Sequence, residues 1–95
     1  MNSITINELK KIIGKVNLID LRSNTSFNNN HIEGAKNIEY NVLISDPSRF
    51  LNKSEKTYLY CQKGVKSYKA CAYLEKLGFD VVNVIGGYEA WILEN

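Results

Sequence analysis

The chain has 95 residues, 44% of them hydrophobic, and 12 Lys or Arg against 10 Asp or Glu give a formal net charge of +2. That length implies one domain over 1–95 with a single small core, and so small a charge gives no argument for nucleic acid or an anionic membrane, neither of which is expected as a partner. No apolar stretch approaches the ~18 residues of a membrane span, Met1-Asn2-Ser3-Ile4-Thr5 lacks the basic and apolar regions of an export signal, and two cysteines make no disulfide framework, so the expectation is a reduced, cytoplasmic monomer.

Thr5 and Glu8 have the spacing of a capping box. Leu9, Ile12 and Ile13 follow at helical spacing, and Gly14 offers a stop. Val16 to Asp20 reads as a buried strand ending on a carboxylate. The polar stretch Ser23 to Asn30 reads as an ordered loop with a helical turn, anchored in the core by Phe27. Asn37 to Tyr40 is predicted as a short second strand. Val42 to Leu51 is predicted helical, with Pro47 interrupting its continuity. Lys56 to Cys61 is the next strand. A helix is expected over Ser67 to Leu77, with Ala70, Cys71, Leu74 and Leu77 on one face and Gly78 as its stop. Val81 to Ile85 is the last strand. Gly86-Gly87 turns the chain into a closing helix, Tyr88 to Leu93, that carries Trp91. Short β-branched runs alternating with helical patterns predict an α/β fold with a parallel sheet covered on both faces. Ligands bind such sheets beyond the carboxyl ends of the strands, where both Asp20 and Cys61 fall.

The segment Cys61-Gln62-Lys63-Gly64-Val65-Lys66-Ser67 carries the chemistry. A loop that wraps around a point can aim several backbone N–H groups at an anion. Gly64 permits a backbone conformation closed to other residues, the helix expected from Ser67 adds partial positive charge, and Lys63 and Lys66 add full charges. Free cysteine titrates near pH ~8.5, and such surroundings lower it. The reading is a stabilised Cys61 thiolate with an anion bound beside it; the alternative is a buried cysteine next to a loop that is merely basic.

The chain resembles the rhodanese family over nearly its whole length. Ile19-Asp20-Leu21-Arg22 matches the family's strand-end Asp-x-Arg. Phe27 and His31-Ile32-Glu33-Gly34-Ala35-Lys36-Asn37-Ile38 match its His-Ile-x-Gly-Ala-x-Asn-Ile segment. The Cys61 to Ser67 loop matches its active-site loop, and Gly86-Gly87-Tyr88-Glu89-Ala90-Trp91 matches its closing Gly-Gly-x-x-x-Trp. The members it most resembles are single-domain thiosulfate sulfurtransferases. The resemblance implies a rhodanese-like fold: a central, mostly parallel sheet of about five short strands with helices on both faces. It also implies a two-step covalent reaction in which Cys61 takes the outer sulfur of thiosulfate or another sulfane donor, becomes a persulfide, and yields that sulfur to cyanide or a thiol. No cofactor is implied. Two rival functions share the fold: a relay that takes sulfur from a desulfurase and passes it to a protein acceptor, and a binding module without catalysis.

Residue by residue, the resemblance makes Cys61 the nucleophile and Gln62, Lys63, Gly64, Val65, Lys66 and Ser67 the anion-binding loop. Lys66 stands where many members have arginine, which keeps the charge and loses the bidentate fork. Asn30 stands where the family usually has glycine. Ser67 occupies the place where phosphatase-like relatives need arginine to clamp an oxyanion, which argues against that chemistry. Arg22 either steers an anionic substrate or pairs with Asp20, and both roles can hold together. Asp20 is read as structural, accepting from loop amides. His31 is read as a buried, hydrogen-bonded structural residue, and with no second histidine or Cys-x-x-Cys pair beside it no metal site is expected. Cys71 is read as core, its rival role being a resolving thiol for Cys61. Tyr88 and Trp91 pack the closing helix, or form part of a partner surface.

Overall fold

Alternation along the strands decides the architecture. Successive strand side chains face opposite ways, and here both sides are apolar: Leu18 and Tyr60 join one buried cluster while Ile19, Leu59 and Cys61 join the other. A sheet that is apolar on both faces needs helices on both. The computed structural model describes residues 1–94 and shows that arrangement.

In chain order the elements are β1 (Asn2–Ile4), α1 (Ile6–Lys10), β2 (Asn17–Asp20), α2 (Asn24–Asn29), β3 (Lys36–Asn37), α3 (Tyr40–Ser45), α4 (Pro47–Phe50), β4 (Thr57–Tyr60), α5 (Val65–Lys76), β5 (Val81–Val84) and α6 (Gly87–Glu94). The five strands lie in the order β1-β5-β4-β2-β3, and every pairing is parallel. Register sets Asp20 opposite Tyr60, so the residues that leave β2 and β4 emerge side by side. Leu43 of α3 and Ala70, Cys71 and Leu74 of α5 cover one face. Ile6 and Leu9 of α1 and Tyr88 of α6 cover the other, joined by Ile32. No described helix is long and apolar enough to cross a membrane.

The capping box forms as its spacing predicts: the Glu8 amide donates to Thr5 Oγ1 at 3.1 Å, and Thr5 N–H donates to Glu8 Oε1 at 2.9 Å. These bonds, the backbone one first, hold the Glu8 carboxyl below its ordinary range.

Several expectations need correction. The strand expected over Asn37 to Tyr40 stops at Asn37, and Tyr40 opens α3; the Tyr40 amide donates to the Leu21 carbonyl, beyond the end of β2. The helix expected over Val42 to Leu51 breaks where Pro47 suggested, at Asp46 with φ −154° and ψ 71°, but its first part begins earlier, at Tyr40. Leu77 is 41% exposed and leaves the inner face of α5, because Gly78 follows at once and the helix has already closed at Lys76. Phe27 anchors to a neighbour instead of the core: its ring stacks on His31 at 3.8 Å. Strand β1 escaped the sequence reading altogether. Asn2 and Ser3 are polar and exposed, Ile4 alone packs against the core, and the strand is held by pairing with β5.

Candidate active site

Helix α5 starts at Val65, two residues earlier than its sequence suggests, with Gly64 as its N-cap at φ +98°. Only Gln62, Lys63 and Gly64 therefore separate Cys61 from the helix. The left-handed turn at Gly64 is open to glycine at little cost, and it folds the loop back over the sulfur. The Gly64 and Ser67 amides each lie 3.2 Å from Cys61 Sγ and donate to it. Ser67 is the third helical residue, and first-turn amides have no partner inside the helix; this one finds the sulfur. Cys61 Sγ also lies 3.4 Å from Ser67 Oγ.

The loop is clamped from behind. Amides of α6 donate to its carbonyls, Tyr88 to Cys61 at 2.9 Å and Glu89 to Gln62 at 3.0 Å. Gly87 makes this approach possible. A Cβ there would stand 2.2 Å from the Cys61 carbonyl oxygen, and its φ is +59°.

Cys61 opens onto a cavity of about 790 Å³ whose walls include Arg22, Tyr40, Gln62, Lys63, Val65, Lys66 and Lys69. The expected loop residues thus divide by task. Gln62, Lys63, Val65 and Lys66 line the cavity, while Gly64 and Ser67 hold the sulfur from below. Lys66 reaches over the Tyr40 ring, 5.9 Å from its centroid.

Asp20 and Arg22 form a closed unit beside this cavity. The Asp20 carboxylate accepts from the Arg22 amide at 2.8 Å, from the Arg22 guanidinium at 2.8 Å and 3.1 Å, and from Tyr60 Oη at 2.6 Å. Arg22 further donates to the Asn30 carbonyl at 2.6 Å and to Gln62 Oε1 at 3.3 Å, and stacks on Tyr88 at 4.1 Å. Burial opposes the Arg22 charge, but the hydrogen bonds and charge of Asp20 outweigh it and hold the guanidinium above its ordinary range. Burial, then the Asp20 hydrogen bond, pushes the Tyr60 phenol up. The Tyr60 oxygen also accepts from the Ile32 amide at 3.0 Å. His31 is half-buried, and its Nδ1 donates to the Phe27 carbonyl at 2.9 Å. Among the described residues no cluster of His, Cys, Asp or Glu could hold a metal ion.

Cys71 is a free thiol, as is Cys61. It lies in the apolar layer with Ala70 and Leu74. Burial first, then the charges of Glu75 and Cys61, pushes its thiol up to about 12.

Sequence reasoning missed three contributors. Lys69 stands one turn beyond Val65 and Lys66 on the same helix, a spacing that could have flagged it. Asn83 interrupts the apolar run Val81-Val82-Asn83-Val84, is 5% exposed, and accepts from Ser67 Oγ at 2.7 Å. Gly87 was visible as a turn residue and as part of the closing motif, but its close approach to the Cys61 carbonyl was not.

Comparison with known proteins agrees with this geometry. The rhodanese-like domain family matches residues 5–94. Thiosulfate sulfurtransferase GlpE of Shewanella oneidensis is 32% identical over 94 residues, covering 93% of this chain and 89% of that protein. A rhodanese-like domain protein from Staphylococcus aureus superposes with a TM-score of 0.86 at 39% identity, over 96% of this chain and 91% of that one. A rhodanese-related protein from Thermoplasma volcanium gives 0.90 at 26% identity, over 100% and 94%. The strand order, the cysteine loop and these likenesses lead to one conclusion: the chain belongs to the rhodanese family and shares descent with its sulfurtransferases.

Proposed function

We propose that this protein transfers a sulfane sulfur through a persulfide on Cys61. The observation that carries the reading is the convergence of two backbone N–H groups on Cys61 Sγ at 3.2 Å, at the mouth of a cavity walled by Lys63, Lys66 and Lys69. Preorganised dipoles of this kind stabilise an anion without reorganising. The Cys61 thiolate attacks the outer sulfur of thiosulfate; the sulfur–sulfur bond breaks and sulfite leaves with the electron pair. A thiolate or cyanide then attacks the outer sulfur of the persulfide and releases Cys61 as thiolate. Neither step requires a general base. The lysines attract the donor anion and the amides hold the sulfur. Arg22 contributes by fixing Gln62 and the wall of the cavity.

The test is thiocyanate formation from thiosulfate and cyanide, with intact-mass detection of one added sulfur. Wild type should turn over and gain the sulfur, and Cys61→Ser should do neither. Turnover that persists in the serine variant rejects the assignment.

One observation favours a second reading, sulfur relay between proteins. The cavity is much larger than one small anion needs, and Val42 and Val65 on its wall are largely exposed. Under this reading the mass gain comes from a persulfide donor while thiosulfate gives no turnover.

A further inference from the structure

Asn83 is out of place by its chemistry. Asparagine is depleted in strands, and burying its amide costs free energy unless a partner is supplied. On β5 it has Val82 and Val84 on either side and is almost fully buried. Among the described residues its side chain has one hydrogen-bond partner, the hydroxyl of Ser67. Ser67 is itself wholly buried, and its Oγ lies 3.4 Å from Cys61 Sγ.

The Ser67 hydroxyl has a single proton and three acceptors around it. They are Asn83 Oδ1 at 2.7 Å, the Gly64 carbonyl at 3.3 Å and Cys61 Sγ at 3.4 Å. With Cys61 as thiol the three groups form a chain: the S–H donates to Ser67 Oγ, and the Ser67 O–H donates to Asn83 Oδ1. When the thiol proton leaves to solvent, the sulfur can only accept. The Ser67 hydroxyl must then turn and donate to it. That would leave two oxygens facing each other at the Asn83 end. A half-turn of the amide brings Nδ2 to the same place, and it donates to Ser67 Oγ. An amide can serve both states, whereas a carboxylate serves one and an aliphatic side chain neither. A second cleft of about 380 Å³, formed with Tyr68, Ile85 and Gly86, lies along Asn83.

We propose that Asn83 is a positioning residue that acts through the Ser67 hydroxyl: by turning its amide it lets that hydroxyl donate to the Cys61 thiolate as a third donor beside the Gly64 and Ser67 amides. The role rests on Cys61 being the nucleophile of the reaction proposed above. In that cycle the hydroxyl faces the sulfur while Cys61 is a thiolate. It returns to Asn83 once Sγ is bonded to the transferred sulfur and no longer carries the charge.

The test follows the alkylation of Cys61 by iodoacetamide from pH 5 to pH 10, with the modified cysteine assigned by peptide mass. It compares wild type, Asn83→Leu, Ser67→Ala and the double variant. Asn83→Leu should move the midpoint of the pH–rate profile up by about one unit, a ~tenfold loss of thiolate at fixed lower pH. Ser67→Ala should move it at least as far, and the double variant no further than Ser67→Ala alone, since the two act as one path. An unmoved midpoint in Asn83→Leu, or shifts that add in the double variant, overturns the proposal. Should Asn83→Leu lose its cooperative melt, Asn83→Ala carries the same expectation with less volume to accommodate. The assay uses no sulfur donor, so it separates two failures. A wild type that alkylates at Cys61 yet never gains sulfur rejects the transfer reaction, while unmoved midpoints reject the role of Asn83.

Discussion

The two cysteines of this chain are almost equally hidden, Cys61 at 4% exposure and Cys71 at none, yet their surroundings are opposite. Cys61 Sγ receives two backbone N–H groups and opens onto a cavity lined by lysines. Cys71, ten residues later on the inner face of α5, lies in the apolar layer, and burial first, then the charge of Glu75, pushes its thiol up to about 12. Exposure does not distinguish them. What differs is the direction in which backbone dipoles point, and that is decided by the turn at Gly64 and the start of α5.

The most severe test of this contrast is selective alkylation. At neutral pH Cys71 should be a thiol in all but about one molecule in 10⁵, so one equivalent of iodoacetamide should leave Cys71 unlabelled and any modification should fall on Cys61. Peptide mapping that finds equal labelling would erase the difference. Next in size is Gly87→Ala, which breaks the cradle from behind. The new methyl meets the Cys61 carbonyl, and the left-handed φ disfavours any side chain. Stability should fall by on the order of 3 kcal/mol, read as a lowered urea midpoint, with sulfur transfer lost in whatever remains folded.

Cys71→Ala probes the other side. The folded pKa of Cys71 is above its unfolded value, so its contribution is complete below about pH 9 and is lost as pH rises towards 12. Wild-type stability should therefore decline in that window by up to about 1.4 kcal/mol per pH unit from this group. The alanine variant should decline less steeply in urea titrations at pH 9 and 10.5, and parallel slopes would remove Cys71 from the account. The smallest expected effect is Lys66→Arg. A guanidinium fork in the cavity should lower KM for thiosulfate about twofold to threefold with little change in kcat, and identical kinetics would place Lys66 away from the donor anion.

Much of the site was legible because strand ends and loop chemistry are local. Asp20 and Cys61 closed apolar runs, and the glycine and lysines of the loop were visible as such. Less local features were not. Arg22 was read as steering an anion or pairing with Asp20; the pairing is there, but its further bonds to the Asn30 carbonyl and Gln62 come from loops distant in sequence and were not legible. Phe27 looked like a core anchor, and only the folded loop shows it lying flat on His31. Strand β1 has no apolar pattern of its own and exists because β5 offers it an edge. Tyr40 changed from strand to helix because the chain leaves the sheet after Asn37, a decision made by neighbours across β2.

The clamp that α6 places on the carbonyls of Cys61 and Gln62 has a temporal consequence. Synthesis runs from the amino end, so a ribosome exposes Cys61 and its loop well before Gly87, Tyr88 and Glu89 arrive to brace them. The cradle around the sulfur is thus finished only when the closing helix emerges, and a nascent or trimmed chain lacking that helix carries the same cysteine without its backing.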